Sequence, residues 1–86
     1  MINRIDLSFI LISIDVQFKK LEGEYCMGPY EYFDNLTDAK ESCANDRLCE
    51  GVWDYRCDDG FSYLCKIGFD YIKDIGHCIY DKKGKI

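Results

Sequence analysis

Six cysteines fall between Cys26 and Cys78 at the spacing C-x16-C-x5-C-x7-C-x7-C-x12-C, and no other feature of the sequence constrains its folding as strongly. Within that stretch cysteine makes up about 11% of residues, the density of a disulfide scaffold. A zinc site would need close C-x2-4-C pairs that converge two thiolates from one turn. No such pair occurs, and His77 is the sole imidazole, so neither a metal nor a cofactor is expected. The whole chain has 86 residues, enough for one domain with a small core. Bridges would then supply much of its stability, and disulfides persist in oxidising compartments.

Charge excludes one class of partner. Between Cys26 and Cys78 there are eleven Asp and Glu against five Lys and Arg, a net of −6. A polyanion binder works by clustering Lys and Arg to release counterions, and this stretch repels nucleic acid. The basic residues Lys82-Lys83-Gly84-Lys85 read as a solvated chain end, giving a tail at 82–86.

Residues 1–24 read as a leader. Arg4 precedes the apolar run Leu7–Ile14, too short for a membrane span, which needs about 20 residues, but within the range of a secretory signal. Asp6 and Asp15 flank the run and no small-x-small cleavage signal follows, so the signal is degenerate. The alternation of Ile5, Leu7, Phe9 and Leu11 offers a strand as a second reading, and an unstructured or mis-started leader is a third.

The module expected over 25–81 is α+β, one short helix packed on a small antiparallel sheet. Thr37 reads as the N-cap of a helix running to about Asn45, with Leu36, Ala39 and Cys43 on its inner face. Gly51–Tyr55 and Phe61–Ile67 read as strands joined by the turn Asp58-Asp59-Gly60. Gly68–Gly76 reads as a loop, and His77–Tyr80 as the closing strand.

Distance narrows the fifteen pairings open to six cysteines. If residues 50–56 are extended, Cys49 and Cys57 stand about 26 Å apart at about 3.3 Å per residue, whereas a bridge tolerates roughly 7 Å between Cα atoms. Cys43 can turn back to Cys49, and Cys57 can meet Cys65 if the turn folds over the sheet; Cys26 and Cys78 then remain.

Asp38–Cys49, Gly51–Tyr55 and Tyr63–Lys66 together resemble a PAN/apple domain: a helix ending in C-x5-C, an apolar-aromatic strand, then a cysteine and a lysine in the next strand. The resemblance covers Cys26 to Tyr80. It implies that the first and last cysteines bond, Cys26–Cys78, and that the C-x5-C pair bonds, Cys43–Cys49. The family has a further helix cysteine where this chain has Ala39, bonded to the cysteine matching Cys65. Cys57 is its natural substitute, giving Cys57–Cys65, while the nested set Cys43–Cys65 with Cys49–Cys57 stays open.

Candidate chemistry is sparse. His77 adjoins a cysteine expected to be bridged, so it reads as structural and not catalytic, and the Asp58-Asp59 pair reads as a turn. Asn35-Leu36-Thr37 is a glycosylation sequon in a loop. Trp53 and Tyr55 share one strand face, and Tyr30 and Tyr32 form a second aromatic patch; these four are the candidate ligand contacts. The expected function is a secreted, non-enzymatic recognition module for an extracellular protein or glycan, which is also what the family resemblance implies. A stand-alone cysteine-rich effector or toxin, or an extracellular structural or matrix component, are the alternatives.

Overall fold

The computed structural model describes residues 16–83. Five strands and one helix follow in the order β1 (Gln17–Cys26), β2 (Pro29–Phe33), α1 (Leu36–Ala44), β3 (Cys49–Asp54), β4 (Ser62–Lys66) and β5 (Tyr71–Lys83). The strands form one antiparallel sheet in the order β1-β5-β3-β4-β2, and α1 lies on it, so the α+β class holds.

Three boundaries differ from the sequence reading. Gln17 to Glu22 pair with Lys83 to Cys78, so the folded unit begins well before residue 25. Residues 1–15, and with them the signal-peptide reading, lie outside the described residues. The expected loop Gly68–Gly76 contains the first half of β5, and Lys82 and Lys83 close that strand. Lys82 is only 5% exposed: its ammonium donates to the carbonyls of Cys43 at 2.7 Å and Asp46 at 2.9 Å. Both carbonyls already accept backbone amides, from Asp46 and Cys49, so the ammonium is a second, charged donor placed where the C-terminal end of α1 favours a cation.

Strand alternation sends Val52 and Asp54 of β3, Ser62 and Leu64 of β4, and Cys78 and Tyr80 of β5 to one face. Leu36, Ala39 and Cys43 of α1 complete the core there, as the helical spacing predicts. The N-cap is Asn35 and not Thr37. Asn35 is extended at φ −145° and its side chain accepts from the Asp38 amide at 2.8 Å, which starts the helix at Leu36. Its amide nitrogen donates to the Asp38 carboxylate at 3.1 Å, so the sequon asparagine is part of the helix cap.

On the opposite face the β1–β5 ribbon doubles back over the sheet. Tyr71 and Asp81 lie ten residues apart in β5, which in a straight strand means about 33 Å. Instead the Tyr71 hydroxyl donates to the Asp81 carboxylate at 2.7 Å. The fold-back occurs where the register slips between Glu22 and Glu24, at Gly23 (φ 77°) and Gly76 (φ 97°). Both glycines occupy the left-handed region that L side chains rarely adopt. Gly51 accommodates the returning ribbon: a Cβ there would meet the Tyr71 hydroxyl at 2.6 Å. The result is helix, sheet and ribbon in three layers, with Cys26, Cys65 and Ile79 buried between the last two.

The bridges are Cys26–Cys65, Cys43–Cys49 and Cys57–Cys78, with Cα separations of 5.9, 5.3 and 5.1 Å. Cys43–Cys49 is the expected pair. The other two correct Cys26–Cys78 and Cys57–Cys65, and sheet faces explain why. Cys78 points to the helix layer and Cys26 to the ribbon layer, so the sheet separates them. Cys65 also lies in the ribbon layer, beside Cys26. Cys57, at φ 58° in a tight turn closed by its amide onto the Asp54 carbonyl at 3.2 Å, faces Cys78, the cross-strand neighbour of Asp54.

Candidate functional site

The ribbon-side face carries a continuous strip of aromatic rings. Trp53 of β3 lies opposite Tyr63 of β4, which in turn lies opposite Tyr32 of β2, and register alone therefore brings the three side by side. Ring centroids are 5.0 Å apart for Trp53 and Tyr63 and 5.5 Å for Tyr63 and Tyr32. Phe61, at the end of the β3–β4 turn, extends the strip past Tyr32 at 5.6 Å. At the other end Tyr25 of the ribbon stands 5.4 Å from both Trp53 and His77, and Tyr55 lies 5.8 Å from Trp53. These spacings are those of favourable tilted and edge-to-face pairs. Phe61, Tyr32 and Tyr55 remain 52%, 49% and 40% exposed, while Trp53 and Tyr63 are half-buried at the centre.

His77 fixes the centre. Its Nδ1 lies 3.2 Å from the Trp53 indole nitrogen and 2.8 Å from the Tyr55 carbonyl, and its Nε2 lies 3.5 Å from Asp74. A bare Nδ1 accepts from the indole, whereas a protonated Nδ1 donates to the carbonyl; one nitrogen cannot do both. The imidazole thus ties β5 to β3 through Trp53, or to the start of the β3–β4 turn through Tyr55.

A cleft of about 220 Å³ opens at the Phe61 end, lined by Asp34, Arg56, Asp58, Gly60 and Phe61. Its shape comes from the β3–β4 turn, which is organised on Asp54. That carboxylate is fully buried and accepts from the amides of Asp58 at 3.3 Å and Asp59 at 3.0 Å. Burial raises the Asp54 carboxyl above the usual carboxylate range, and the two amides pull it back. The Asp58 carboxylate accepts from Gly60 at 3.0 Å, so the expected Asp58-Asp59-Gly60 turn is present. Desolvation by its surroundings, then the charge of Asp34, raises the Tyr32 phenol above the ordinary tyrosine value.

Three of the four aromatic candidates, Trp53, Tyr55 and Tyr32, belong to this strip. Tyr30 does not. It sits at the β2 bulge between Pro29 and Glu31, and its hydroxyl donates to Asp46 at 2.6 Å. Burial, followed by that hydrogen bond, raises its phenol. Tyr25, Phe61, Tyr63 and His77 were not among the expected contacts. The signal for Phe61 and Tyr63 lies in pairing the two alternating aromatic strands across the 58–60 turn; Tyr25 arrives only through the doubled ribbon. Among the described residues, no group of three or more His, Cys, Asp or Glu side chains is placed to hold a metal ion, and no helix is long and apolar enough to cross a membrane.

Fold and site together define a three-disulfide α+β domain with an aromatic strip on its ribbon-side face. Three bridges in so small a domain fit an extracellular cysteine-rich protein. Set against known proteins, the chain matches no family profile, no curated sequence and no solved structure.

Proposed function

We propose that the chain is a secreted, non-catalytic recognition module that takes a carbohydrate ligand along the aromatic strip. The observation that carries this reading is the run of rings, exposed at Tyr32 and Phe61, that ends in a cleft with two carboxylates and a guanidinium, Asp34, Asp58 and Arg56. Ring faces accept the apolar faces of sugar units, and the cleft supplies acceptors and donors for hydroxyl groups. Such a surface favours recognition over a purely structural role, since exposed contiguous rings are costly unless something binds them. The PAN/apple resemblance agrees in kind, through the bonded C-x5-C pair and the helix on an antiparallel sheet, while the other two bridges depart from the pairing it implies. The test is a glycan array probed with the oxidised chain. A retained saccharide whose affinity falls about two- to tenfold on Phe61→Ala or Tyr32→Ala, roughly the 0.5–1.5 kcal/mol of one ring contact, is the expected result. Silence across the array, with binding to an extracellular protein instead, would overturn the carbohydrate reading.

A further inference from the structure

Five of the six cysteines are at most 2% exposed; Cys57 alone is only partly buried. Its side chain lines an open cleft of about 440 Å³ at the bend of the ribbon, together with Lys20, Glu22, Ile75, Gly76 and His77. Lys20 and Glu22 stand 3.9 Å apart there, so the opposed charges leave an approaching anion little net repulsion. Cys78, the partner of Cys57, is fully buried beneath α1 with Val52 and Leu64. The Cys43–Cys49 bridge is covered by the helix layer, and Cys26–Cys65 lies closed between ribbon and sheet. Of the three bridges, only Cys57–Cys78 therefore has a residue with exposed surface on an open cleft, although that residue also packs against the helix-side core.

We propose that Cys57–Cys78 is a thiol–disulfide exchange site for a dithiol reductant of the Cys-x-x-Cys oxidoreductase class. The reductant's thiolate attacks Cys57 Sγ, the bond to Cys78 breaks, and its electron pair leaves on Cys78 Sγ, which takes up a proton. The reductant's second thiol then attacks the reductant sulfur of the mixed disulfide and releases Cys57 as a thiolate, which is protonated in turn. One dithiol becomes a disulfide and one cystine becomes two thiols, a balanced exchange. Exposure on the cleft selects both the bridge and Cys57 within it. The turn itself keeps the hydrogen bonds from Asp58 and Asp59 to Asp54, and β3 keeps its pairing with β5. Reduction at this site therefore leaves the sheet assembled.

Partial reduction of the oxidised full chain with increasing dithiothreitol, quenched by alkylation and mapped by mass spectrometry, tests the order of opening. Cys57 and Cys78 are expected to be alkylated at dithiothreitol concentrations at least tenfold below those that open the other four cysteines. Earlier or simultaneous alkylation of Cys43, Cys49, Cys26 or Cys65 would overturn the proposal. A Cys-x-x-Ser trap variant of a thioredoxin-type protein gives the second reading: its mixed disulfide should map to Cys57, and an adduct on Cys78 or any other cysteine counts against the site.

Discussion

Asp54 shows how much of this molecule rests on single polar groups. Its carboxylate has no exposure and accepts two amides of the turn that shapes the cleft. Asp54→Ala leaves both amides without their acceptor and is expected to cost about 2–4 kcal/mol in urea unfolding, one to two buried hydrogen bonds. The pH dependence has a defined sign. The folded carboxyl lies above the unfolded value of about 3.9, so the folded state binds the proton first. This group's contribution to stability is fully present below the unfolded value and lost as pH rises through the folded one. Acidification from pH 7 toward pH 4 should therefore favour the wild type relative to Asp54→Asn, and urea midpoints that stay parallel would refute it. Lys82 illustrates what residue-level reading misses. In sequence it belongs to a basic run, which reads as solvated; only the return of β5 past the end of α1 places it against two carbonyls.

At the level of elements, the legible parts were those whose pattern reports a packed face. Val52 and Asp54 against Trp53 and Tyr55, or Ser62 and Leu64 against Tyr63 and Cys65, alternate as half-buried strands do, and the Leu36, Ala39, Cys43 face of α1 follows helical spacing. β1 escaped notice because an edge ribbon carries Lys19, Lys20, Glu22 and Glu24 where a central strand would carry apolar residues. The aromatic strip was half visible for a related reason: neighbours along one strand can be read in sequence, whereas neighbours across strands need the register. The ribbon bend makes its own prediction. Gly76→Ala puts a Cβ on a residue at φ 97° and should cost about 1–2 kcal/mol in urea unfolding, even though no atom lies within 4 Å of that Cβ. An unchanged midpoint would show that the bend relaxes freely.

Across the whole molecule the three bridges divide the work by layer. Cys43–Cys49 fastens the helix to β3, Cys57–Cys78 fastens the β3–β4 turn to β5, and Cys26–Cys65 fastens the ribbon to β4. Face assignment, more than distance along the chain, decides these pairings, which is why spacing alone recovered only the shortest loop. Replacing Cys26 and Cys65 together by serine should cost about 3–4 kcal/mol from loop entropy. It should also red-shift Trp53 emission, because the ribbon that packs Tyr25 against the indole is then untethered. Loss of stability without a spectral change would mean that the ribbon stays seated by Tyr71 and Asp81 alone. The ladder between β1 and β5 has one more consequence. Gln17 and Lys83 are directly paired, so the two ends of the described segment sit side by side on one edge. The backbone is nearly a closed ring, and a linker of a few residues would complete it. A permuted chain opened at the exposed Gly68 turn would begin and end elsewhere yet keep every strand pairing and all three bridges.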